Sequence, residues 1–516
     1  MAVSELSART GIGAWARSAV RSLFSHWSFV TLIAMVSLYY LLLLSNGTLQ
    51  PFAPEMLDKV FDNMLIHLLH GEFTVDRDAI GFEAFTRDGR TYTYFGVFPA
   101  FLRLAGLPFF DVAQAHLARF SCWAAVVAYV ALQTRMLLTV HRSLQPQEQL
   151  RGFLAIMVTA TVLSGPQLYI LGSAWVYHEP IVWSAAIGAG FNLVIVRAAF
   201  GGGGLRTRDL LSLAILAGLA LSTRVTVGMG LYVGSILLVA WTAWERHAGS
   251  RINQLSRGDA GGGPRRIGAV AGDAGVILPI AILILFAVSL GASNFARWGN
   301  PLTFADFRYY DFSNLHRQTD FAVIRNYGEI SIGRMWIGAL YYATGLPYVL
   351  KSVPPFADFL GARVVRIEAP PVMPLLTNPI TVLLAAVGVC RLWWKPDLPG
   401  GSINLLRLTL LGHVVPVIIV FGYFYFALRY RLDFTPFMTL ASLVGYRSVC
   451  IAGLRAQRWR ERWLVTGLAL LLVGVAFSHY TLLMHKAWSM AVPMEVRRAL
   501  GPYLPSAYLP VASPPL

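Results

Sequence analysis

Eleven stretches of this chain are apolar enough, and long enough, to cross a bilayer: 28–45, 114–139, 152–171, 181–199, 209–223, 226–243, 274–293, 377–394, 404–426, 434–451 and 463–484. About 20 predominantly apolar residues cross the hydrocarbon core as a helix, and the lipid tolerates no unpaired backbone group. Such a chain is confined to helices packed side by side across a membrane. The expected fold class is therefore an all-α polytopic membrane protein with about 11 transmembrane helices. Only 13% of the 516 residues are charged, against roughly 25% in a soluble domain.

Residues 209–243 read as one long helix or as two. The break signal is Ser222-Thr223-Arg224-Val225-Thr226, because an arginine in mid-bilayer costs ~2.5 kcal/mol or more on insertion scales. Charge decides for two. With two helices, Arg142, Arg151, Arg206, Arg208, the run from Arg246 to Arg266, Lys395 and the run from Arg455 to Arg462 all fall on the side of the N-terminus. Short basic loops mark the cytoplasmic side. The net charge of +16 is thus read as topology, not as a nucleic-acid patch. Arg9, Arg17 and Arg21 precede the first apolar run without a small-residue cleavage site, which reads as a signal anchor. Cys122, Cys390 and Cys450 lie in or beside apolar spans and read as small hydrophobes.

This topology gives a cytoplasmic tail over 1–27, a membrane domain over 28–484 and an outer tail over 485–516. Two large outer segments, 46–113 and 294–376, carry interfacial helices. In the second, Arg334 to Lys351 mixes Trp336, Tyr341, Tyr342 and Tyr348 with apolar residues, as a helix lying in the interface or a twelfth span would. The glycine-rich 257–268 reads as a linker. Asn46-Gly47-Thr48 is an outward-facing sequon.

The outer face gathers most of the candidate chemistry. Glu55, Asp58 and Asp62 share one face if 54–71 is a helix, given their spacing of three and four. His178-Glu179 in a short outer turn is a candidate metal pair or proton relay. Arg429 and Arg431 sit where the charge bias disfavours them, and a guanidinium offers fork-like donors to phosphate; Asp433 is a candidate partner for either.

Taken with "HGEF" (70–73), the segments "GRTYTYFGVFPAFLRL" (89–104), "NFARWGNPLTF" (294–304) and "RYRLDFTPF" (429–437) resemble the C-type glycosyltransferase superfamily. They are most similar to bacterial dolichyl-phosphate-mannose-protein-mannosyltransferase-like membrane proteins. The resemblance implies inverting transfer of a sugar from a polyprenyl phosphate to a hydroxyl of glycan, lipid or protein on the outer face. It assigns Asp58 as general base with Asp62 in reserve, although neither forms the adjacent acidic pair of several members. It assigns Arg429, Arg431 and Arg297 to the lipid phosphate. Lys351 joins them on charge, and Arg90 and Tyr94 of the first outer segment on position. No cofactor is required, while His178 and Glu179 offer a place for a divalent metal. The "DGRTY" turn, with Gly89 at positive φ, is expected to fold 69–104 over the outer ends of the spans as a lid.

Richness in Ala, Gly and Arg over Lys points to a bacterial inner membrane, with the active face periplasmic. The partners implied are the lipid-linked donor, a hydroxyl acceptor and membrane lipids, with no nucleic acid. The alternatives are a surface-polysaccharide polymerase or ligase, which would use the arginines and His316 of 294–376, and a lipid or solute transporter. A transporter places polar groups at mid-bilayer on broken helices, whereas here polar mass is piled on one face.

Overall fold

The computed structural model describes residues 27–202, 204–255, 268–311, 318–368, 372–394, 398 and 400–488. The expected tails up to 26 and from 489, the linker at 257–267 and the loop residues Lys395, His316 and Arg317 lie outside the described residues.

The chain is an all-α polytopic membrane protein. Each expected apolar stretch is helical: α1 Trp27–Leu44, α2 Ala118–Arg142, α3 Arg151–Ile170 with an interruption after Leu163, α4 His178–Phe200, α5 Thr207–Thr223, α6 Val225–Leu255, α7 Gly268–Trp298, α8 Pro379–Trp394, α9 Gly400–Gly422, α10 Thr435–Arg455 and α11 Gln457–Trp488. Among the described residues nine are long and apolar enough to cross a membrane. The other two, α5 and α8, have 17 and 16 residues.

The break between α5 and α6 falls on Arg224, whose backbone is extended at φ −151° and ψ 110°. Leaving the helix lets its guanidinium reach Asp433: Nε donates to the two carboxylate oxygens at 2.7 and 3.0 Å, and Nη2 donates to one of them at 2.8 Å. An unpaired arginine at this depth would be costly, and the broken helix is what lets it pair. The partner of Asp433 is therefore Arg224, in place of the neighbouring Arg429 or Arg431.

Small residues set a close helix crossing between α8 and α10. A Cβ on Gly388 would lie 1.9 Å from the Ala441 carbonyl, and one on Gly445 would lie 1.9 Å from that of Leu384. Lipid supplies no hydrophobic drive between helices, so such backbone approach carries much of the packing. Gly388→Val is expected to lower the thermal midpoint in detergent, with an overpacking cost of ~1–3 kcal/mol. Gly361→Ala, where a Cβ meets nothing within 4 Å, should leave the midpoint unchanged; equal midpoints for the two variants would contradict the crossing.

The segments 46–113 and 294–376 fold together over one end of the bundle. The first forms a helix at Val60–Leu69 and an antiparallel hairpin, β1 Phe85–Arg87 and β2 Arg90–Tyr92. Its turn residues Asp88 and Gly89 both have positive φ, 52° and 74°, which matches the twist of paired strands. The second segment docks on the hairpin: Asp311 N–H donates to the Ala84 carbonyl at 3.0 Å, and the Phe85 ring stacks on Tyr310. Further along, the helix Ile332–Thr344 has 13 residues and stops at Gly345, φ 73°. At 1.5 Å per residue it reaches ~20 Å, too short to span. It buries Ile337 and Tyr341 and exposes Ile332 and Trp336, as an interfacial helix does.

Candidate functional site

Where the two segments meet the helix ends, two cavities adjoin, of 260 and 170 Å³. They share Tyr94, Tyr177, Phe307, Tyr423, Arg429 and Tyr430 as a common wall. The larger is floored by loop residues and carries Glu83, Glu368 and Arg366. The smaller reaches down among helix residues, including Pro180 and Ile181 of α4, Val225 and Met229 of α6, and Ile419 of α9. Together they make a groove with a polar end, an aromatic waist and an end of largely apolar helix residues that also carries Arg224 and Glu329.

Arg429 stands at the waist. Its Nη1 donates to Glu368 Oε1 at 2.5 Å, and its guanidinium lies 5.1 Å from the Tyr177 ring centroid and 5.2 Å from that of Tyr430. Tyr425 donates to the same Glu368 oxygen at 2.6 Å, which leaves Oε2 buried without a partner. Glu83 is bound differently. Its Oε1 accepts from Tyr177 at 2.5 Å and from Tyr310 at 2.9 Å, with no direct ion pair among the described residues. Burial pushes its carboxyl above the usual range, against the opposing pull of the two phenols and of Arg429. A carboxylate held by neutral donors keeps more basicity than one locked to a guanidinium.

The residues singled out from the sequence divide. Arg429 and Tyr94 line both cavities. The three early acids do not share a face, because the helix begins only at Val60 and Leu57 has φ 57°. Glu55 accepts from Arg119 at 2.7 Å and Asp58 pairs with His116 Nδ1 at 2.6 Å, while Asp62 accepts from Arg103 at 2.8 Å. None of the three lines either cavity. Arg431 is buried, with Nη2 3.4 Å from the Tyr342 carbonyl. Arg297 donates to the Phe95 carbonyl at 3.0 Å, behind the wall of the smaller cavity. Lys351 donates to the Ile367 carbonyl at 3.3 Å and stacks on Tyr348. Arg90 is exposed on β2.

His178 and Glu179 are engaged in different directions. His178 Nδ1 lies 2.7 Å from the Ser173 carbonyl and the ring stacks on Trp175. Glu179 turns to Arg103 and accepts from Ser121 at 2.6 Å. Among the described residues no three His, Cys, Asp or Glu side chains are grouped to hold a metal ion.

Reasoning from the sequence passed over Glu83 and Glu368. The available signal was slight: each is the lone acid in a short, mostly apolar stretch, "IGFEAF" and "VVRIEAP".

Asp62, Arg103 and Glu179 form a buried triad that pins the first segment to α4. Burial raises the Asp62 carboxyl to about 6, against the pull of Arg103. A carboxyl raised in the fold favours folding when protonated. Its contribution is fully present below the unfolded value of 3.8 and is lost as pH rises through about 6. Asp62→Asn is expected to remove that part of the pH dependence of the thermal midpoint, and an unchanged profile would assign the slope to other groups.

No family model and no curated protein matches the chain. Among solved structures it is similar to the archaeal oligosaccharyltransferase AglB from Archaeoglobus fulgidus in complex with an inhibitory peptide and a dolichol-phosphate. That likeness has 11% identity and a TM-score of 0.48, over 95% of this chain and 60% of that one. It is similar to an Archaeoglobus fulgidus oligosaccharyltransferase tethered via a disulfide bond with an acceptor peptide containing the NVT sequon, at 11% identity and TM-score 0.47, over 96% of this chain and 60% of that one. A third structure, the complex with Zn and sulfate, gives 12% identity and TM-score 0.46, over 94% of this chain and 57% of that one. The chain thus spans about three-fifths of the length of these structural neighbours.

Proposed function

We propose that this protein is a glycosyltransferase that moves a sugar from a polyprenyl-phosphate carrier to a hydroxyl acceptor, with inversion, at the loop-bearing face of a bacterial inner membrane. The observation that carries the reading is the groove itself. One end is walled by side chains of helices read as spanning, the other holds a carboxylate bound only by phenols, and an arginine stands between them. A prenyl chain suits the first, an acceptor hydroxyl the second and a phosphate the waist.

In this reading the first isoprene units lie among Pro180, Ile181, Val225 and Met229, and the phosphate meets Arg429 with Arg366 beside it. Glu83 takes the proton of the acceptor hydroxyl as its oxygen attacks the anomeric carbon. The bond from that carbon to the phosphate oxygen breaks, and the electron pair leaves with the phosphate. Charge grows on the phosphate as the bond breaks, so the guanidiniums stabilise the transition state more than the bound donor. Glu83 takes the role that the resemblance gives to Asp58, which faces His116 outside the groove. Glu368 is the weaker candidate because Arg429 already occupies it.

The reading is tested by incubating purified protein with a panel of labelled polyprenyl-phosphate sugars and membrane-extract acceptors, while donor binding is measured separately. Donor-dependent transfer is expected. Failure of any polyprenyl phosphate to bind a folded, monodisperse sample would overturn the reading. Asp58→Asn should retain transfer within about threefold, as an acid remote from the reacting atoms would; a loss of 100-fold or more, the scale of a general base, would return the role to Asp58.

A further inference from the structure

Most charges in the groove are already matched. Arg224 is held by Asp433 through Nε and Nη2, and Arg429 by Glu368. Two are not. Among the described residues neither the Arg366 guanidinium nor the Glu329 carboxylate has an ion-pair or hydrogen-bond partner. Arg366 lines the larger cavity and Glu329 the smaller, so the unpaired cation and the unpaired anion line different cavities.

Glu329 follows the break after the helix Gln318–Tyr327, beside Gly328 at φ 71°. Its backbone carbonyl accepts from Arg334 Nη1 at 3.3 Å, so that arginine holds the segment in place and leaves the Glu329 carboxylate unpaired. Burial and the nearby Asp306 push the carboxyl up to about 7, and no cation offsets them. Arg224 lines the same cavity, yet its charge goes to Asp433. An anion entering this end meets the Glu329 carboxylate, and the one guanidinium lining the cavity away from the waist, that of Arg224, is already taken by Asp433.

On the reading of the groove proposed above, we infer that Glu329 is a specificity-determining residue that rejects a second phosphate on the carrier, so that the donor is a polyprenyl monophosphate. A monophosphate donor places its one phosphate at Arg429, next to Arg366, and puts only hydrocarbon beside Glu329. A diphosphate carrier has a further phosphate on its lipid side. With the sugar-side phosphate at Arg429, the second would lie in the smaller cavity with Glu329. Like charges a few ångströms apart in a partly desolvated site repel by enough to change affinity by about tenfold or more. The prenyl chain desolvates the carboxylate with either carrier, so what separates the two is the repulsion of the second phosphate.

The test uses the full chain in detergent, with farnesyl phosphate and farnesyl diphosphate as probes, which share a chain and differ by one phosphate group. Wild type is expected to bind the monophosphate at least about tenfold more tightly. Glu329→Gln should bring the two affinities within about threefold, chiefly by improving the diphosphate, while Glu329→Asp, which keeps the charge, should preserve most of the ratio. A Glu329→Gln ratio equal to wild type, with monophosphate binding intact, would overturn the inference and leave the transferase reading standing. Absence of binding of either probe to folded wild type would overturn both. Equal binding of the two probes by wild type would overturn the inference alone.

Discussion

Glu83→Gln is expected to remove nearly all transfer activity while the protein stays folded and the donor stays bound. The substitution keeps the shape and one carbonyl oxygen, so Tyr177 and Tyr310 retain their acceptor, but the amide cannot take a proton from the attacking hydroxyl. General-base catalysis contributes ~10²–10⁴-fold, and the loss should fall on kcat with little change in donor affinity, as for an interaction made in the transition state. The pH profile carries a second signature. Because burial raises the Glu83 carboxyl, the wild-type rate should fall on the acid side at a higher pH than an ordinary carboxylate would give. That limb should disappear from whatever activity Glu83→Gln retains. A variant with wild-type kcat would disqualify Glu83, and Glu368 would be the next carboxylate to test.

Arg103→Met is expected to be the most damaging single change to the fold. Arg103 is buried, donates to Asp62 at 2.8 Å, and grips Glu179 with both Nη atoms. Removing it leaves two carboxylates without their cation in a dry site, and breaking a buried pair in this way costs ~3–5 kcal/mol. The first segment should loosen from α4, with a lower thermal midpoint and faster proteolysis within 46–113. Adding Asp62→Asn and Glu179→Gln removes the stranded charges and should restore much of the loss. Should Arg103→Met alone melt like wild type, the triad would have to be hydrated, and its burial would not set the closure of the segment.

Comparing sequence with structure shows where physical inference reached and where it stopped. The helices were legible because hydrocarbon imposes a length, a composition and complete backbone pairing on each of them. The division at Arg224 was legible for a related reason, since no helix carries an unpaired arginine through mid-bilayer at low cost. The Asp88-Gly89 turn was legible because few residues accept positive φ. Arg429 and Tyr94, singled out from local pattern, line both cavities.

Other assignments depended on partners far along the chain. The spacing of Glu55, Asp58 and Asp62 suggested one helix face, but the helix starts five residues after Glu55 and each acid meets a different partner. Asp433 lies beside two arginines in sequence, yet pairs with one 209 positions away. Glu83 and Glu368 come from different segments and carry no local mark. By itself the sequence determined the membrane class and the helices, because each is a property of a short stretch against its solvent. Only the tertiary structure decided which carboxylates face the groove and which cations are already neutralised. Those are properties of pairs, and Coulomb and desolvation terms act through distance and burial, which the linear order of residues does not contain.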